Sequence, residues 1–289
     1  MLLKGTGNRT YRNALILRVI NNSNETLQDY VLKIPASLLP EPPLHFETET
    51  GKKLYFFKFG SAVPAFYVRI PELEPHEEKE IYVFSGKYSS NYIYSAMYNA
   101  DKTFHMSIDF RNSLDYRTKL TIVKGGTYRI QENPPYWTAF EATKGYVVAR
   151  IPIPSEVEII AWVTFVPWDN QYQRERIKLE TSIDYGIYDY NKVFFGAYST
   201  TTLPSNQSHE VYTAYTNGRL SLKIYSWDTH SLLYQNSSSA SAPSRLYVGV
   251  GDQGSTQYSG RIQFRYIFIR KLVYPEPTIE KGNIVLTIS

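Results

Sequence analysis

"GRIQFRYIFIRKLVYPEPT", residues 260–278, decides the fold. Polar and apolar residues alternate from Arg261 to Arg265, as in a strand with one buried face. The run then meets Pro275-Glu276-Pro277, and proline, lacking a backbone N–H, cannot continue a central ladder. Yet "NIVLTIS" (283–289) follows, with Ile284, Leu286 and Ile288 alternating against Val285, Thr287 and Ser289. A lone apolar strand must join some sheet edge. It either folds back on its own domains or enters a neighbour's sheet as a donated strand.

Upstream, strand signals recur at short intervals. "NALILRVI" (13–20) leads through a polar turn into "LQDYVLKI" (27–34). "LHFETE" (44–49) and "KKLYFFKF" (52–59) pair across Thr50-Gly51 as a tight hairpin. "AFYVRI" (65–70) and "KEIYVFSG" (79–86) close this set. A longer set runs from "TFHMSIDF" (103–110) to "GRIQFRYIFIRKLVY" (260–274), and "QNSSSASAPS" (235–244) reads as a surface loop. No segment carries a convincing helical period. The expected fold is all-β, two antiparallel β-sandwiches in tandem. Residues 1–95 form the smaller sandwich, 96–278 a concanavalin-like jelly roll, and 279–289 a C-terminal strand or tail.

A chain of 289 residues with 43% hydrophobic and 15% aromatic residues can build sizeable cores. Its 26 tyrosines favour strands. The net charge of +4 is spread evenly, which gives no basic stripe for nucleic acid. The absence of cysteine excludes disulfides, thiolate metal sites and Cys nucleophiles. The start, "MLLKGTGNRTYRN", has too few apolar residues before a charge for a signal sequence. Either a leader precedes this numbering or the chain reaches its site of assembly without one. No run of about 20 apolar residues predicts a transmembrane helix. Glycan-acceptor triplets begin at Asn8, Asn21, Asn24, Asn206 and Asn236, each in a polar, turn-like stretch, and together they point to an exterior location.

Tyr11-Arg12, "ALILRVINN", "SNETLQDYVLKI", "LHFETETGKKLYFF" and "IPELEPHEEKEIYVFSGKY" together resemble a surface-protein module of archaea and bacteria whose function is unknown. The second half is similar to the concanavalin A-like lectin/glucanase (laminin-G-like) sandwiches that often follow that module. The ending Arg270-Lys271-Leu272-Val273-Tyr274-Pro275-Glu276-Pro277-Thr278 resembles the close of those sandwiches. The resemblance implies tandem β-sandwiches and spans roughly residues 8–278.

A glucanase of that kind would carry three carboxylates at fixed spacing on one strand. "LETSIDYG" offers only Glu180 and Asp184, so no enzyme is expected. His76 sits in "ELEPHEEKE" (72–80), which reads as an exposed charged loop, and His45, His105, His209 and His230 lack ligand spacing. "GVGDQGS" (249–255) has glycines but no following helix, and reads as a turn.

Glycan recognition needs flat aromatic faces beside planar polar groups, and sometimes an oxygen-bound Ca²⁺ to order a loop. "PWDNQYQ" (167–173) supplies Trp168, Asp169, Asn170 and Tyr172, and "NPPYW" (133–137) supplies Tyr136 and Trp137. In "YDYN" (188–191), Asp189 and Asn191 are the candidate Ca²⁺ ligands; no other cofactor is expected. Trp162 reads as core. The function expected is a non-enzymatic structural or adhesive one at a cell or virion surface or in an extracellular filament. Its partners would be copies of itself, other envelope or virion subunits, or glycans. A soluble glycan-binding module is the alternative, and an active glycosidase comes third.

Overall fold

The strand beyond the prolines folds back on its own chain. The computed structural model describes residues 13–39, 43–85, 99–166, 172–204 and 206–286. In it, Thr278–Leu286 runs antiparallel to Asn13–Ile20, with Ile20 opposite Thr278 and Asn13 opposite Leu286. The chain accordingly divides into one unit of Met1–His105 with Val273–Ser289, and a second of Met106–Leu272. This corrects the boundaries read from sequence. The tail is an integral strand of the first unit, and the second unit is an insertion in it.

Residues just past 95 also belong to the first unit, for a visible reason. Asn99 caps the short helix α1 (Ala100–Thr103), its side chain accepting from the Lys102 N–H. The Asn99 N–H donates to the Phe56 carbonyl at 3.1 Å, the Arg69 guanidinium to that of Lys102 at 2.9 Å, and Phe104 packs 5.0 Å from Tyr67.

The first unit contains β1 (Asn13–Ile20), β2 (Leu27–Pro35), β3 (Pro43–Thr48), β4 (Lys53–Leu54), β5 (Phe56–Phe59), β6 (Ala65–Leu73), β7 (Glu78–Ser85) and the terminal strand β21 (Thr278–Leu286). Two sheets result, ordered β21-β1-β7-β3-β4 and β2-β6-β5. Alternation turns Leu15, Leu17 and Val19 of β1 and Ile81 and Val83 of β7 toward Leu32, Ile34, Val68 and Ile70 of the other sheet.

The second unit contains β8 (Met106–Asp109), α2 (Ser113–Lys119), β9 (Ile122–Asn133), β10 (Trp137–Pro152), β11 (Val157–Val166), β12 (Arg174–Leu179), β13 (Tyr185–Tyr188), β14 (Lys192–Phe195), β15 (Tyr198–Thr202), β16 (Ser208–Thr216), β17 (Arg219–Ser226), β18 (Leu232–Ser239), β19 (Arg245–Val250) and β20 (Ser259–Lys271). Its strand pairs are antiparallel, as expected. The sheet branches at β10. Thr138–Thr143 pair with β20, and Val147–Pro152 pair with β19. One wing, β12 to β15, extends from β19, and the other, β11 with β16 to β18, extends from β20. The wings close face to face, so that Ile177 and Ile187 share a core with Val211, Leu222 and Ile224. The Tyr185 hydroxyl lies 2.8 Å from Thr213 Oγ1 inside it.

"QNSSS", expected as loop, forms most of β18 instead. It is the outermost strand of its wing, where pairing to β17 through the main chain needs no apolar side chain.

Candidate functional site

Along β12, Glu175, Ile177 and Leu179 point into the core, so alternation sends Arg174, Arg176 and Lys178 to the outer face of the wing. Three cations side by side repel, and the neighbours answer them. Asp252 forms a fork with Arg176, and Asp184 lies between Arg176 at 3.5 Å and Lys178. The Tyr188 hydroxyl donates to Asp184 at 2.7 Å. Burial would raise the Asp184 carboxyl, but Arg176, Lys178 and Tyr188 outweigh it and hold it below the usual carboxylate range. Burial likewise lowers the Lys178 ammonium, with Arg176 adding to the effect. Next to this network, Arg150 pairs with Glu180 at 2.9 Å.

Arg174 is held differently. Its guanidinium lies 3.8 Å from the ring centre of Tyr188 and 4.9 Å from that of Tyr258. Each contact is a cation–π interaction of about 0.5–2 kcal/mol. Three exposed tyrosines come close to it in the pairing pattern: Tyr172, two residues before Arg174, Tyr190, two after its strand partner Tyr188, and Tyr198, exposed at 48%, 50% and 50%. Tyr198 packs edge-on to Phe194 at 5.1 Å and donates its hydroxyl to Asp189. Its phenol also feels the charge of Arg174, which places it in the same neighbourhood. The result is an open, tyrosine-lined face around one fixed cation.

Tyr172 is therefore the expected ligand-contacting residue that the structure brings to this face. Trp168, Asp169 and Asn170 lie outside the described residues. Tyr136 is exposed at the β9–β10 turn, and Trp137 opens β10 with Arg261 5.8 Å from its ring. Thr143 of β10 pairs with Ser259, whose N–H donates to the Tyr172 carbonyl. At about 3.4 Å per residue, Trp137 is some 20 Å away along β10 from that point. The two expected aromatic groups are separate.

The expected Ca²⁺ pair is not assembled. Tyr190 and Asn191 both have positive φ, 60° and 59°, as the central residues of the tight β13–β14 turn. The Asn191 side-chain oxygen accepts from Gln173 at 2.7 Å, and its backbone N–H donates to Gln173 Oε1 at 2.9 Å. Asp189 is occupied by Tyr198. Among the described residues no three His, Asp or Glu side chains gather as a metal site, and no helix is long and apolar enough to cross a membrane.

Asn21 is also corrected as a glycan acceptor. It is fully buried, and its amide donates to the carbonyls of Glu25, Leu73 and Glu74 at 2.8, 3.2 and 2.9 Å. Asn24, Asn206 and Asn236 are exposed, and Asn8 lies outside the described residues. His76 occupies an exposed turn, 3.0 Å from Asn24 Oδ1.

Trp162, expected in the core, stands on the outer face of the other wing. It stacks on Trp227 at 3.8 Å, with the Arg265 guanidinium 4.3 Å from its ring centre. Sequence reasoning missed Arg174, Tyr188 and Tyr258. The signal available was the triplet Arg174, Arg176, Lys178, whose period of two marks a cationic strand face.

No family model matches the chain, and no curated protein matches it. Solved structures do. A protein of unknown function from Shewanella oneidensis MR-1 is 17% identical, over 57% of this chain and 85% of that one, with a TM-score of 0.43. Domain 4 of AbnA, a GH43 extracellular arabinanase from Geobacillus stearothermophilus solved with arabinotriose, is 14% identical over 58% and 92% of the two chains, TM-score 0.39. The exoplasmic/lumenal domain of VIP36, in its Ca²⁺/Man3GlcNAc-bound form, is 11% identical over 60% and 97%, TM-score 0.35.

Proposed function

We propose that this chain is a non-enzymatic adhesion protein of an exterior surface, whose second unit holds glycan on the tyrosine-lined face of β12 to β15. The observation that carries the reading is the Arg174 guanidinium clamped between Tyr188 and Tyr258, beside the half-exposed rings of Tyr172, Tyr190 and Tyr198. Sugar rings present apolar C–H faces that pack on aromatic rings, while their hydroxyls need fixed polar partners. A guanidinium braced by two rings loses little freedom when it binds. Glu180 and Asp184, the carboxylates nearest to a hydrolase pattern, are bound to Arg150 and to Lys178 and Arg176, which supports a binding rather than a catalytic role.

The insertion suits adhesion. The second unit is joined to the first at both ends of its chain, at His105–Met106 and at Leu272–Val273. A load on bound glycan would be shared between two covalent connections.

The test is retention of the full chain on a panel of immobilised polysaccharides. At least one should retain it, and Tyr198→Ala, which removes an exposed ring, should weaken that binding about tenfold. A panel that retains nothing, or a Tyr198→Ala protein that binds like the parent, overturns the proposal.

A further inference from the structure

We infer that the tyrosine-lined face selects glycans bearing uronic acids, with Arg174 as the residue that reads the carboxylate. The inference rests on the glycan reading above and adds the ligand's chemical class.

Charge matching on the wing singles out Arg174. Arg176 is answered by Asp252 and Asp184, Lys178 by Asp184, and Arg150 by Glu180. Arg174 forms no ion pair among the described residues, and its Nε–H is buried without an acceptor. What holds it is aromatic: Tyr188 and Tyr258 touch its faces and leave its charge unneutralised. Asp252, a nearby carboxylate, is spent on Arg176 through two hydrogen bonds.

A guanidinium without a carboxylate partner, beside exposed rings, is complementary to a ligand that brings one anion on an otherwise apolar-faced ring. A hexuronate has that shape. Its pyranose face suits Tyr172 or Tyr198, and its planar carboxylate suits the guanidinium fork, which binds two parallel oxygens. A neutral sugar would leave the guanidinium without a carboxylate partner.

The experiment compares binding of the full chain to polygalacturonate and to its fully methyl-esterified form, which keeps the backbone and removes the charge. The acid form should bind at least tenfold tighter, and the ratio should shrink as NaCl rises. Arg174→Gln should bring the ratio toward one. Tyr258→Leu, which keeps the charge but frees the guanidinium, should lower it, and far-UV circular dichroism checks that both variants fold. Equal binding of the two polymers by the parent overturns the uronate inference and leaves the glycan reading standing. A ratio that survives Arg174→Gln also overturns it. Tighter binding of dextran sulfate than of polygalacturonate overturns the choice of carboxylate. Retention of no polysaccharide at all removes the glycan reading and this inference together.

Discussion

Arg265 lies over the ring of Trp162 because β20 carries one residue more than β11 at that point. Trp162 pairs with Tyr266 and Val163 with Phe264, so Arg265 is the extra residue of a β-bulge. The bulge shifts the inward set of β20 from Ile262 and Phe264 to Ile267 and Ile269. Replacing Arg265 by Ala removes one cation–π contact and should cost about 1 kcal/mol. Deleting Arg265 should still allow folding, because Phe264 and Tyr266 already oppose Val163 and Trp162 and the inward set of β20 then keeps a strict period of two. Denaturant unfolding of the two variants checks this; a deletion that unfolds the chain would rule out the bulge.

The buried acid Glu175 sets one limb of the pH dependence. Burial pushes its carboxyl well above the usual range, against hydrogen bonds from the Arg261 N–H and Gln173. Below about pH 4.5 the group is protonated in both folded and unfolded chains. As pH rises further the unfolded chain ionises first, so stability falls with increasing pH. Glu175→Gln should abolish this limb, and its melting temperature should exceed the parent's at pH 8 by more than at pH 4.5. A constant difference would refute it.

His209 produces the opposite limb. Burial lowers its imidazole to about 4, against a raising effect of Asp228. The stability it contributes is complete above its unfolded value near 6.5 and is lost as pH falls toward 4. The full loss is about 3 kcal/mol. His209→Leu should flatten the acid side of the stability profile; an unchanged acid limb would assign it elsewhere.

The Asn21 amide is shared among the carbonyls of Glu25, Leu73 and Glu74, and the contact to Leu73 is fully buried. Asn21→Ala should destabilise the first unit by about 2–3 kcal/mol, whereas Asn24→Ala should fall within about 0.5 kcal/mol of the parent. In a glycosylating host, peptide mapping should find Asn21 unmodified.

Some of this was open to sequence reasoning and some was not. Strands with clean alternation, such as Leu15-Leu17-Val19 and Leu220-Leu222-Ile224, declare their buried faces. The phase break between Phe264 and Ile267 was also visible, as two apolar pairs out of step. By contrast, β18 is held by main-chain pairing, and α2 rests on the Asn112 cap, which accepts from the Leu114 N–H at 3.1 Å. Neither leaves an apolar period to find. The tyrosine-lined face escaped for a related reason. Arg174, Tyr188 and Tyr258 lie in three separate strands or loops, and only the pairing of β12 with β13 and the loop before β20 brings them together. Tyr172 was named in advance because an aromatic residue in a polar loop stands out locally.

Truncation separates the two fates of the last strand. With β21 paired to β1 within one chain, removing residues 279–289 should expose the β1 edge and speed hydrogen exchange of β1 amides. The second unit should melt as before. Unchanged exchange in β1 would mean that its partner comes from elsewhere.

The pairing of β1 with β21 also sets a timetable for biosynthesis. Ile20 leaves the ribosome early, but its partner Thr278 is made only after the whole second unit has been translated. At about 5–20 residues per second, that interval is on the order of tens of seconds. During it the nascent first unit has an open sheet edge, while the second unit has all its own strands and can finish first. β1 can settle against β7 as soon as that strand emerges, and the first unit is closed only by the last strand made.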